Sequence, residues 1–171
     1  MTRPSPDHVD EILAQWRRER PDLDASPIGV FGRLSRADRL VDTALAEGIA
    51  GHGLQPGWFD LLAALRRQGP PFELNPTHLT EATLLSSGGT TKRLDRLADA
   101  GLIDRLPDPH DRRGTLVRLT RHGKRVIDRA LQTHLENERR LLQALSRDEQ
   151  RTFEGLLRRL LDGLDPPDPA T

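Results

Sequence analysis

Residues 86–125 read SSGGTTKRLDRLADAGLIDRLPDPHDRRGTLVRLTRHGKR. Ser86 and Ser87 offer oxygens that cap a helix running to Ala100, and Gly101 stops it. The runs 102–106 and 115–119 then read as strands, on either side of a loop holding Pro107, Pro109 and Gly114. Thr120 caps the helix that follows. A capped helix, an Arg-tipped hairpin and a new helix, in that order, predict a winged helix-turn-helix in a mainly α chain, with a two-stranded β-wing.

At 100° per residue, Leu94, Leu97 and Ala98 fall on one side of the 87–100 helix, with Thr90 near them. Gly89, Lys92 and Arg96 fall on the opposite side. A helix that is apolar on one flank and cationic on the other can pack on its own domain and still enter a major groove. Gly88 and Gly89 are placed in the first turn, where each costs ~1 kcal/mol relative to Ala. Close backbone approach to phosphate is a physical reason to accept that cost. Ser87 and Thr91 can bond phosphate or base edges, and Lys92 and Arg96 can reach guanine acceptors. Arg112 and Arg113 sit at the hairpin tip, where Arg can enter a narrow minor groove. The DNA-binding set is therefore Ser87, Gly88, Gly89, Thr91, Lys92, Arg96, Arg112 and Arg113.

Charge agrees with that polarity. The 171 residues hold 26 Lys or Arg and 26 Asp or Glu, so the chain is formally neutral. Residues 86–125 carry ten of the basic residues and five of the acidic ones, a net of +5 that leaves −5 on the remainder. A basic segment on a mildly acidic body suits a protein that meets DNA with one face. There is no Cys, which removes disulfides, thiol nucleophiles and Cys-ligated metal. No apolar run is long enough to span a membrane and no secretory signal is visible, so a cytoplasmic protein is expected.

Outward from the central segment, 7–20 is an amphipathic helix with Val9, Ile12, Leu13 and Trp16 at helical spacing. A second helix covers 28–50, with Phe31, Leu34, Val41, Leu45 and Ile49 on a stripe that Asp38 interrupts. GHGLQPG is a loop, and 56–67 is a helix closed by Gly69 and two prolines. Asn75 caps, and Pro76 opens, a short helix over 76–85. The helix after Thr120 is expected to reach about Leu145. SRDE at 146–149 is a capping box that opens a leucine-dense last helix to Leu164. The tail 165–171 is expected to be disordered. The whole chain, 1–171, is read as one domain, with an N-terminal helix at 7–20, long helices at 28–50 and 120–164, and a DNA-binding region at 56–119.

GLIDRLPDPHDRRGTLVRLTRHGK resembles the wing signature of the MarR family of bacterial transcription regulators, and SSGGTTKRLDRLADAG is similar to its recognition helix. The resemblance covers about 28–164. It implies a homodimer in which terminal helices of two chains interleave, with 28–50 and 120–164 as dimerisation helices and 7–20 as an extra N-terminal helix. It also implies a pseudo-palindromic operator in double-stranded DNA and, as is usual for the family, repression. The last helix fits that implication, because Leu156, Leu157, Leu160, Leu161 and Leu164 must be buried somewhere.

The extra N-terminal helix resembles that of the urate-responsive PecS-type branch. That branch is associated with a Trp on the extra helix, an Asp on the helix before the helix-turn-helix, and two Arg residues on the recognition helix and early wing. Here these are Trp16, Asp60, Arg93 and Arg105, and the resemblance implies a site for a small anionic effector such as urate. Guanidinium forks and an aromatic wall suit a planar, oxygen-rich anion. Each residue also has a plainer use: Trp16 as a packing anchor, Asp60 as a solvated carboxylate, Arg93 and Arg105 as phosphate contacts. Other effectors (trans-aconitate, another purine, a phenolic compound), or none, stay open at this point. An enzyme is not expected, since no His pair has ligand spacing and no nucleophile elbow or phosphate loop is present. No cofactor or metal is implied.

Overall fold

The computed structural model describes residues 5–83, 89–109, 111 and 114–165. Seven helices and three strands follow one another within them: α1 (His8–Glu19), α2 (Ser26–Ala50), α3 (Trp58–Arg67), β1 (Glu73–Leu74), α4 (Pro76–Glu81), α5 (Thr90–Asp99), β2 (Ile103–Pro107), β3 (Thr115–Leu119), α6 (Arg121–Leu141) and α7 (Arg147–Leu164). They form a mainly helical winged helix-turn-helix with a small antiparallel sheet. Contacts divide the chain into two compact units, 1–47 and 48–171.

In the first unit, α1 opens with a capping box. The Asp7 carboxylate accepts from the Val9 and Asp10 amides, and Asp10 accepts from the Asp7 amide. Arg33 of α2 reaches the same turn, with Nε 2.9 Å from Asp7 and Nη2 2.8 Å from Asp10. Hydrogen bonds from the Asp7 amide and from Arg33 hold the Asp10 carboxyl below its ordinary value. Val9 is buried here, lying where a side chain on Gly32 would intrude. The second helix begins at Ser26, two residues earlier than expected, because Asp24 accepts from both the amide and the hydroxyl of Ser26.

The second unit holds the main core. Leu61, Leu62 and Leu65 of α3 meet Leu79 of α4, Leu94 and Leu97 of α5, Ile103 of β2, Val117 of β3 and Ile127 of α6, all fully or nearly fully buried. Three expected caps are present: Asn75 on His78, Thr120 on Gly123, and the reciprocal Ser146–Glu149 box.

Several boundaries differ from expectation. The sheet has three strands, in the order β1-β3-β2, because Glu73 and Leu74 pair with Arg118 and Val117. A two-residue strand is too short to show alternation, so periodicity could not reveal it. The short helix ends at Glu81. The long helix ends at Leu141, giving way to a 3-10 turn over Leu142–Ala144. Gln150 bonds the freed carbonyls of Leu142 and Leu145. The recognition helix begins at Thr90, not near Ser87, and Gly89 caps it with a left-handed φ of 84°. The expected caps Ser86 and Ser87 lie outside the described residues, as does most of the 165–171 tail.

Candidate nucleic-acid interface

The local sequence fixes which side of α5 faces out. Thr90, Leu94 and Leu97 are buried, while Thr91, Lys92, Asp95 and Arg96 are exposed. Lys92 and Arg96 are four residues apart and share the outer face. Gly89 leads into this face from just outside the helix, not from within the first turn where it was expected. Its left-handed φ is a conformation that a side chain resists, and the Arg93 guanidinium lies 3.6 Å from where a Cβ would sit.

Behind α5, the wing strands are held by charge pairs. Arg118 of β3 donates to Glu73 of β1 at 2.6 Å, fastening the edge strand. Arg105 of β2 donates to Asp95 of α5 at 2.6 Å, a hydrogen-bonded ion pair that joins the wing to the recognition helix. At the tip, the Gly114 amide donates to the Asp111 carbonyl at 2.8 Å, and the Asp108 amide donates to the Gly114 carbonyl at 3.1 Å. A Cβ at Gly114 would crowd Asp108 and Asp111, so this turn requires glycine. Ser87, Gly88, Arg112 and Arg113 lie outside the described residues.

A second cluster supports the helix-turn-helix from its rear. Asp128 of α6 accepts from Arg66 Nε of α3 at 2.6 Å and from Lys124 Nζ at 3.0 Å. Both cations also lie over the Phe72 ring, 5.1 and 5.7 Å from its centroid. Partial burial pushes the Asp128 carboxyl up, but the hydrogen bonds from Lys124 and Arg66 outweigh it and hold the group below its ordinary value.

Of the four residues expected to bind an effector, Asp60, Arg93 and Arg105 belong to the second unit. Asp60 is half-buried on α3, beside the buried Phe59 and Leu61. Arg93 is half-buried on α5, between the outer face and the core side. Trp16 belongs to the first unit, where it lines an apolar crevice of about 240 Å³ with Leu23, Pro27 and Ile28. The Asp95–Arg105 pair and the Arg66–Asp128–Lys124 cluster were not legible beforehand. Ten residues and a Gly turn separate the first pair, and opposite charges at such a distance have no periodic signature. Among the described residues no cluster of three metal-ligating side chains occurs, and no helix is long and apolar enough to cross a membrane.

Comparison with known proteins agrees with this architecture. A profile described as MarR family matches residues 52–114, the helix-turn-helix and most of the wing. The chain is 41% identical over 152 residues to the transcriptional regulator PecS of Dickeya dadantii, covering 89% of this chain and 92% of PecS. It is 35% identical to the multiple antibiotic resistance protein MarR of Escherichia coli over 77% of this chain and 90% of MarR. A crystal structure of a cysteine-to-serine mutant of E. coli MarR complexed with operator DNA superposes with a TM-score of 0.69, at 28% identity, over 85% of this chain and 97% of that one. The chain belongs to the MarR family of transcriptional regulators.

Proposed function

We propose that this protein is a homodimeric repressor that binds a pseudo-palindromic operator and releases it on binding a small anionic effector such as urate. The observation that carries the DNA reading is the outer face of α5, where Thr91, Lys92 and Arg96 are exposed while Thr90, Leu94 and Leu97 anchor the helix to the core. In this reading α5 enters the major groove, with Lys92 and Arg96 on phosphate or guanine. Arg112 and Arg113 enter the flanking minor groove, and Ser87, Gly88 and Gly89 give the backbone a close approach to phosphate. The operator complex of the related MarR supports it by analogy.

The dimer reading rests on apolar surface. Phe153, Leu156, Leu161 and Leu164 of α7 are 45–65% exposed, and Val30, Phe31 and Leu40 of α2 are more than half exposed. So much large apolar surface on two helices is the mark of an interface, and a second copy of the chain is the partner that a twofold operator calls for. Trp16, Asp60, Arg93 and Arg105 are the proposed effector residues. Their types and positions match the PecS-type pattern, and the 41% identity to PecS supports the assignment.

A gel shift with the DNA flanking the protein's own gene, with and without urate, tests both parts. Tight binding released by urate supports the whole reading, and the operator affinity of Arg105→Ala, whatever its level, is then expected not to change with urate. Binding that urate leaves unchanged removes urate as effector, and absence of binding at moderate salt counts against the operator.

A further inference from the structure

Arg105 is assigned to the effector, yet it already holds a carboxylate. Its Nη2 lies 2.6 Å from Asp95 Oδ1, in a pair that joins β2 to the outer face of α5. The contact is a single hydrogen bond, not a fork, and the side chains are 37% and 57% exposed. A pair of that kind is weak and opens readily in water. A planar anion offering two oxygens in register binds a guanidinium in bidentate fashion and is the better partner.

We propose that Asp95 is a built-in competitor for the effector: the Asp95–Arg105 pair is a clasp that steadies the recognition helix against the wing, and an anionic effector opens it by taking Arg105. The inference rests on the effector reading above and adds to it how binding reaches α5. Once Arg105 turns to the ligand, the Asp95 carboxylate is left without its cation on the face that carries Lys92 and Arg96. The helix then loses this polar tie to β2, keeping the packing of Leu94 and Leu97 on its inner side, and an unneutralised negative charge stands beside the phosphates that this face approaches. Both effects disfavour the DNA-bound state, so the ligand gains the differential affinity that release requires.

The competition has a sign that a merely structural pair lacks. Removing Asp95 must tighten effector binding, because Arg105 no longer has to be taken from a rival. If Asp95 instead served to orient Arg105 for the ligand, its loss would weaken binding. Calorimetric titration of the DNA-free protein with urate separates the two. Asp95→Asn is expected to lower the urate dissociation constant about twofold to fivefold, the strength of an exposed ion pair. Asp95→Glu keeps the rival charge and is expected to stay near wild type. Asp99→Asn makes the same charge change one helical turn on, and is also expected to leave the constant unchanged. Unchanged or weaker urate binding in Asp95→Asn overturns the clasp and leaves the effector reading standing. Tightening by Asp99→Asn as much as by Asp95→Asn reduces the effect to net charge and also overturns it. No urate binding by the wild-type protein overturns the effector reading, and the clasp with it.

Discussion

Lys92 and Arg96 occupy equivalent places on α5, yet their substitutions are expected to read differently. Arg has the planar fork that matches guanine, whereas Lys is a point charge suited to phosphate. Arg96→Ala should cost about 1–3 kcal/mol of operator affinity and relax preference at one base pair; Lys92→Ala should weaken all sequences alike and lower the salt slope by about one. Titrating each variant against the operator and a scrambled duplex at several salt concentrations checks both. Asp128 makes a prediction about stability. Its folded-state pKa is depressed, so its contribution is present above the unfolded value and is lost as pH falls through the folded one, below the ordinary aspartate range. The acid-side fall in melting temperature should therefore be shallower in Asp128→Asn than in the wild type, which thermal melts between neutral and acid pH would show.

Among the elements, those with long apolar stripes or explicit caps were legible from the sequence. Leu94 and Leu97 announced the buried side of α5, Ser146 and Glu149 announced the start of α7, and Asn75-Pro76 announced α4. Elements set by tertiary pairing were not legible. Glu73 and Leu74 become a strand only because β3 lies beside them, and Arg118 holds Glu73 in place. Gly89 was read as part of the helix, whereas its left-handed backbone places it just outside. That correction carries its own test. Gly89→Ala puts a side chain on a left-handed residue at a cost of about 1–2 kcal/mol, and should lower both the melting temperature and operator affinity. Gly123 offers a comparison in which DNA is not involved. A Cβ there would fall on the Leu102 carbonyl where α6 crosses the entry to β2. Gly123→Ala should destabilise the fold by about 1–3 kcal/mol, measurable by urea unfolding.

At the scale of the whole molecule, the neutral total charge conceals a basic reading segment and an acidic remainder. The apolar residues of α2 and α7 have more exposed surface than a solitary chain has reason to carry. Replacing Leu156 and Leu161 together with Glu should shift the protein towards monomer in sedimentation experiments and weaken operator binding, while the helical content of the second unit persists. Arg105, one of the proposed effector residues, is paired with Asp95, a partner the sequence does not reveal because nothing in the spacing of the two marks them as neighbours. In the proposed function, two copies of α5 read one twofold operator. Footprinting on the DNA flanking the gene tests it most directly, using the wild type beside the Lys92→Ala/Arg96→Ala double variant. Two symmetric protected half-sites about one helical turn apart, lost in the double variant, are the predicted result. A single unsymmetric patch, or protection that survives in the double variant, would contradict it.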